Sequence, residues 1–341
     1  MKKHLLPEGG AFYKANMHTH TTISDGVFSP EETKKHYAEM GYSIVAFTDH
    51  EVMVPQNHLT DKDFLAINAV ETITSDKWPG SYCYNKTYHL NYYAKSPDIT
   101  ECPVLSAKNI WQEHTKAYAT PAMSENPYKN HYSIDGVNDA IKRANEAGFL
   151  VCLNHPVWSG QDYTDYVGLK GLWGVEVYNS GCYRGGQHDT AQPLVDLLRT
   201  NQRVLPIAAD DTHVEEDCFG GWLMVKADQL EYKTVIGALE RGDFYASTGP
   251  EIKALCIEEG VLSIETSAAF SITLVSNYRY HRQRHGSEEA PLTAATFDLN
   301  DFIKQNKAHA YPRCTPWVRL EVRDLRGNVA WSRAYLLDEL A

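Results

Sequence analysis

Between about residues 13 and 250 the chain alternates short apolar runs of strand length with longer segments of helical period, the pattern of repeated βα units around a mostly parallel sheet. Strands are predicted over 14–21, 42–48, 64–72, 89–94, 149–154, 174–179, 204–209 and 221–225. Ser29-Pro30-Glu31-Glu32 supplies an N-cap serine, a proline suited to the first helical position and a capping-box glutamate, and Gly41 closes that helix. Further helices are predicted over 134–147, 190–201 and 232–241. The segment 95–132 is longer than an ordinary βα connection, shows only a short helical pattern near 107–116, and reads as an insertion of the kind that forms lids. After Gly249-Pro250 the pattern changes to short strand-like runs at 252–257, 261–265, 270–275 and 317–322, with a turn at 324–328 leading into 329–337. The predicted organisation is therefore an α/β domain over 1–250 and a small β-sandwich over 251–341.

Composition narrows the function classes. A chain of 341 residues, 43% hydrophobic, can bury a sizeable core. Its formal net charge of −12 argues against a surface that tracks long nucleic acid, and favours a small-molecule substrate. Seven cysteines (Cys83, Cys102, Cys152, Cys182, Cys218, Cys256, Cys314) lie apart with no C-x-x-C pair, the usage of reduced thiols. Met1-Lys2-Lys3 runs into Pro7-Glu8-Gly9-Gly10 without an apolar core, so no secretory signal is expected there, and no run is long enough to span a membrane. A cytoplasmic location is the expectation.

His18-Thr19-His20 carries the strongest chemical signal. In an extended segment residues i and i+2 share a face, so both imidazoles reach one ion while Thr19 faces away. Asp25 follows in Ser24-Asp25-Gly26, then His50 in Thr48-Asp49-His50, and this mixture of imidazole and carboxylate suits Zn, Mn or Fe. Glu71, His155 and Asp211-Thr212-His213 each lie at the C-terminal end of a predicted strand, and the C-terminal ends of parallel strands are where α/β barrels assemble their sites. His89 stands out because it falls at the start of its predicted strand. Asp49 reads equally as a partner that orients a ligand histidine or as a strand-end cap.

Taken in order, His18-x-His20, Ser24-Asp25-Gly26, Thr48-Asp49-His50, Glu71, His89, Asn154-His155-Pro156 and Asp211-x-His213 resemble the PHP (polymerase and histidinol phosphatase) phosphoesterase family. Arg241-Gly242-Asp243-Phe244-Tyr245-Ala246-Ser247-Thr248-Gly249-Pro250 resembles the segment that closes its carbaryl-hydrolase-like metallohydrolase branch. The departure is Ala209-Asp210-Asp211, where the family usually has Gly-Ser-Asp; Asp210 is a rival ligand there, although Asp211 keeps the spacing to His213. The resemblance implies a distorted seven-stranded (βα) barrel that binds two or three divalent ions through His18, His20, Asp25, His50, Glu71, His89, His155, Asp211 and His213. It also implies their grouping: His18, His20 and Asp211 on one ion, His89 and His155 on a second, Asp25, His50 and His213 on a third, with Glu71 bridging.

Such a centre hydrolyses esters with a hydroxide held between ions, and needs no serine or cysteine nucleophile. Glu71, Asp211 and His213 are assigned to that chemistry, and Arg184, between Gly181 and Gly185-Gly186, to clamping a phosphate. Lys129, His131 and Arg143 are weaker clamps. The expected activity is hydrolysis of a small phosphomonoester or a nucleotide-derived phosphate. The alternatives are a carboxylic or carbamate ester hydrolase on the same centre, and a binding protein whose metals are structural. Amidohydrolases also use His-x-His, but with a carboxylated lysine that these motifs do not supply. His4, His36, His58, His114, His188, His281, His285 and His309 are left outside the site. Tyr82, Tyr84, Tyr88, Tyr92 and Tyr93 are assigned to packing, and the basic stretch Arg279, His281, Arg282, Arg284 and His285 to a solvated loop.

Overall fold

The computed structural model describes residues 2–76, 84–308 and 314–340; Tyr82, Cys83 and His309 lie outside them. The strands are β1 (Lys3–His4), β2 (Ala11–Asn16), β3 (Ile44–Phe47), β4 (Leu65–Ser75), β5 (Thr87–Ala94), β6 (Phe149–Leu153), β7 (Gly174–Asn179), β8 (Leu205–Ala209), β9 (Trp222–Ala227), β10 (Phe244–Ser247), β11 (Ile252–Glu258), β12 (Val261–Ala269), β13 (Ser271–Ser276), β14 (Arg282–His285), β15 (Leu292–Asp298), β16 (Trp317–Arg323), β17 (Val329–Ser332) and β18 (Tyr335–Leu336). One large sheet runs β14-β13-β16-β17-β10-β9-β2-β3-β4-β5-β6-β7-β8, with β18 on β16, and a four-stranded sheet runs β1-β11-β12-β15.

Two expectations are corrected here. The sheet is mixed rather than mostly parallel: β2-β3-β4 and β6-β7-β8 are parallel, but β5 runs antiparallel to both of its neighbours, and β9 runs antiparallel to β2. Nor is there a closed seven-stranded barrel. Among the described residues β8 forms no ladder with β2, and the reason is that both edges of β2 are taken, by β3 and by β9. The two ends are laced at and beyond the strand ends, where the Asp210 amide donates to Asn16 Oδ1 (3.1 Å), Thr19 bridges Thr212, the Asp211 amide donates to the His18 carbonyl (2.9 Å) and the His20 amide to the Thr212 carbonyl (3.0 Å).

Amphipathic helices cover this sheet. The helix Pro30–Glu39 has the predicted capping box: Glu32 N donates to Ser29 Oγ, and Ser29 N donates to the Glu32 carboxylate. Ile134–Glu146 buries Val137, Ala140, Ile141 and Ala144, spaced as one helical face. The helix predicted over 190–201 is shorter, Gln192–Leu198, and the pattern near 107–116 becomes two separate turns of 3₁₀-helix, Ala107–Asn109 and Thr115–Tyr118. A second apolar cluster, built from Ile252, Leu255, Leu262, Ile264, Ile272, Leu274, Leu320 and Val322, also takes in Leu5 and Leu6 from the start of the chain. Arg282 and His285, expected in a loop, form the fully exposed edge strand β14. Tyr88, Tyr92 and Tyr93 are buried, as packing residues should be, whereas Tyr84 is exposed. No helix among the described residues is long and apolar enough to cross a membrane.

Candidate metal centre

The exits of β2, β6 and β8 bring His18 and His20, His155, and Asp211 and His213 to one edge of the sheet, and Glu71 meets them from within β4, just past the last β3–β4 pair Phe47–Asn68. The antiparallel direction of β5 resolves the anomaly of His89: the start of an antiparallel strand lies at the same edge as the ends of its parallel neighbours, and the Asn154 amide accordingly donates to the His89 carbonyl (3.0 Å). Asp25 arrives on a turn that Asp49 builds. Asp49 Oδ1 accepts from the amides of Thr21 (2.8 Å) and Ser24 (3.2 Å) and from Ser24 Oγ (2.8 Å), so its carboxylate holds a loop and does not face the cluster. Gly26 is required there because a Cβ would stand 2.2 Å from the His20 carbonyl oxygen.

All nine predicted residues converge. His18 Nε2, His20 Nε2 and Asp211 Oδ1 lie 3.1–3.2 Å from one another. Glu71 sits at the middle: Oε1 is 3.1 Å from His89 Nδ1 and 3.4 Å from both His155 Nε2 and His18 Nε2, while Oε2 is 3.0 Å from His50 Nδ1 and 3.4 Å from His20 Nε2. Asp25 completes a third group, 3.5 Å from His213 Nε2, 3.6 Å from His50 Nε2 and 3.7 Å from His20 Nδ1. Ligands about 2.0–2.1 Å from a shared ion in tetrahedral array stand about 3.3 Å apart, which is the spacing seen here.

Electrostatics fits the same use. His20 Nδ1, His50 Nδ1, Glu71 Oε2 and Asp211 Oδ1 are buried and have no hydrogen-bond partner, and buried polar atoms are rarely left so. Burial opposes charge throughout, yet the surrounding histidines hold Glu71 and Asp211 well below the usual carboxylate range. Against the same burial, Asp211, Glu71 and Asp25 lift His20 to about 10, and Glu71, Asp211 and Glu176 lift His155 to about 9; desolvation dominates at His89, which falls to about 4. The carboxylates thus favour the charged form at His18, His20 and His155, and burial the neutral form at His89. Backbone strain concentrates here too: Glu51, His155 and Asp211 have φ of 58°, 25° and 54°.

The residue that sequence reasoning passed over is Glu176. It is wholly buried, its Oε1 accepts from His18 Nδ1 at 2.7 Å, and its Oε2 accepts from His155 N and Asn179 Nδ2, both at 2.9 Å. At 2.7 Å Glu176 and the His18 ring are hydrogen-bonded, closer than the roughly 2.9 Å that separates neighbouring ligands at right angles around one ion. It therefore orients His18 and leaves Nε2 turned on Asp211. A carboxylate in the strand sequence Val175-Glu176-Val177, buried between two valines, is the signal that marks it. Asn154 Nδ2, 2.7 Å from Glu71 Oε1, and Asn179 Nδ2, 3.1 Å from Asp211 Oδ2, are two further fixings.

Asp210 does not compete with Asp211. Its Oδ1 accepts from the amides of Gly220 and Gly221 (both 2.9 Å), and its Oδ2 from the amide of Phe219 and from Tyr37 OH (both 2.8 Å). Arg184 ends the short helix Ser180–Arg184, and its Nε donates to Asp217 Oδ1 at 2.9 Å. Asp217 Oδ2 in turn accepts from His213 N and Val214 N, so Arg184 is tied to the loop that carries His213. Of the weaker clamps, Arg143 pairs with Asp139 on the helix Ile134–Glu146.

Solved structures that match this chain include a two-domain protein from Bacteroides vulgatus ATCC 8482 containing a predicted PHP-like metal-dependent phosphoesterase, at 15% identity over 98% of each chain and a TM-score of 0.44. An amidohydrolase from Chromobacterium violaceum shares 18% identity over 59% of this chain and 88% of its own (TM-score 0.35), and a lesion-specific endonuclease from Pyrococcus furiosus 14% over 67% and 56% (TM-score 0.40). No curated protein matches. Residues 16–289 match the model of the PHP domain, a stretch that holds all nine convergent residues and most of the chain, and the chain belongs to the PHP domain family.

Proposed function

We propose that the protein is a metal-dependent hydrolase acting as a phosphoesterase on a small phosphomonoester or nucleotide-derived phosphate. The observation that carries the reading is the convergence of six histidines and three carboxylates at ligand spacing, with four of their buried atoms lacking any hydrogen-bond partner. His18, His20 and Asp211 would hold one divalent ion, Glu71, His89 and His155 a second, and Asp25, His50 and His213 a third, with Glu71 offering an oxygen to each side. Zn, Mn or Fe suits this donor set. When bound, such ions supply a nucleophile at neutral pH by acidifying water and offset charge that builds on the phosphoryl oxygens.

The chain's own contribution is placement. Glu176 fixes the His18 ring, Asn154 and Asn179 fix Glu71 and Asp211, and Asp217 fixes the backbone of His213, whose side chain stands at the solvent side of the cluster. Arg184, with Nε on Asp217, keeps both Nη groups for a phosphate. A second reading is a carboxylic or carbamate ester hydrolase of the carbaryl-hydrolase-like branch. It is favoured by the charge balance of that same pairing, since Asp217 already offsets the Arg184 charge that a phosphate would draw on. Elemental analysis beside a panel of nucleotides, sugar phosphates and aryl esters, with and without chelator, decides. Two or three ions per chain with chelator-sensitive phosphate release support the phosphoesterase; ester cleavage alone supports the second reading; failure to bind ions after reconstitution overturns both.

A further inference from the structure

Two tryptophans stand in solvent over the cluster. Trp111 is 51% exposed and its ring lies 4.9 Å from that of His50; Trp158 is 41% exposed and lies 5.0 Å from both His89 and His155. Tryptophan so exposed leaves a large apolar face in water, which is unfavourable unless something covers it. Neither is a loose surface residue. Trp111 follows buried Ile110 on the long 95–132 segment, which is pinned to the Asp25 loop where His114 Nε2 donates to the Ser24 carbonyl and Thr115 Oγ1 to the Ile23 carbonyl, both at 2.7 Å. Trp158 lies in a turn closed by Ser159 N on the His155 carbonyl (3.1 Å), with Val157 N held by Asp189 Oδ1 (3.0 Å). Each indole thus borders a different ligand group, His50 on one side and His89 with His155 on the other, and each keeps a face open.

We propose that Trp111 and Trp158 form the walls of the substrate subsite, and that the ester hydrolysed carries a flat aromatic group, an aryl ring or a nucleobase, that stacks on them. The proposal rests on the reading of the cluster as a hydrolytic metal centre. Stacking tolerates any π-face, so the walls select flatness and leave the choice of ring to other contacts.

The test uses non-hydrolysable ligands on the metal-reconstituted protein, measured by calorimetric titration in two pairs: phenylphosphonate against methylphosphonate, and benzoate against acetate. The aryl member is expected to bind more tightly in the pair that the centre accepts. Trp111→Ala and Trp158→Ala should each cut the aryl-to-alkyl affinity ratio about fivefold or more, with Trp111→Phe and Trp158→Phe restoring most of it. An equal affinity for aryl and alkyl members in both pairs, or a ratio untouched by the alanine variants while metal affinity falls, would show that the indoles only buttress the ligand histidines and would overturn the proposal. Preference for phosphonates or for carboxylates separately reports on the phosphoester reading, because aryl selectivity seen only among carboxylates leaves the walls in place and removes the phosphate.

Discussion

Glu176→Gln is the sharpest probe of how the fold prepares its ligands. The substitution keeps shape and volume but replaces one acceptor oxygen with an NH₂ group, and all three of the carboxylate's partners are donors or can serve as donors. If the remaining oxygen stays on His18 Nδ1, the NH₂ faces His155 N and Asn179 Nδ2 and two bonds are lost at a wholly buried site. If the amide turns round, the NH₂ meets His18 Nδ1, and His18 must move its proton to Nε2, the atom 3.2 Å from Asp211 Oδ1 and needed for an ion. Bonds to a charged acceptor contribute about 1.5–3 kcal/mol each, so neither arrangement is neutral. Loss of the partner that orients a ligand histidine lowers metal affinity about 10–100-fold, or about 1.4–2.7 kcal/mol. Competition against a chromophoric chelator measures that affinity, and denaturant titration of the metal-free protein measures stability apart from it. A variant that loses stability yet binds metal within about twofold of the parent would refute the claim that Glu176 sets the His18 tautomer.

Other perturbations separate scaffold from site. Asp210→Ala should lower the unfolding free energy by about 3–5 kcal/mol, read from the denaturant midpoint, because three backbone amides and Tyr37 lose their acceptor together. Asp211→Ala, one residue on, should remove an ion from the elemental analysis and abolish hydrolysis, a contrast that fails if Asp210 is the ligand. Burial raises Asp189 from 3.8 to about 7, so the folded protein binds a proton there that the unfolded chain has released; its contribution to stability is complete below about pH 4 and is lost as pH rises through about 7. Asp189→Asn, whose side-chain oxygen can still accept from Val157 N, should therefore gain melting temperature on the parent between pH 5 and pH 8, and a difference constant with pH would contradict the shift.

What the sequence made legible follows from the range of the interactions involved. His18-x-His20 and Asp211-x-His213 are read from local spacing, and the helix at Pro30 from its own cap, because the residues that decide them are within a few positions of each other. The direction of β5 is not local. A period-two apolar run looks the same in either direction, so His89 had to seem misplaced until its pairing with β4 and β6 showed that a reversed strand starts where its neighbours end. Closure of the sheet is less local still, since whether β8 reaches β2 depends on β9 having already taken that edge. The same distinction divides the three acidic residues that sequence reading treated least well. Asp49 and Asp210 stand beside ligands in sequence but spend their oxygens on backbone amides, whereas Glu176, more than a hundred and fifty positions from His18, determines how that ligand points. Adjacency to a motif is thus a poor guide to the shell behind it. The better guide is a charge placed where the strand pattern calls for an apolar residue: burying it demands partners, and in this fold the partner of Glu176 is a ligand of the proposed centre.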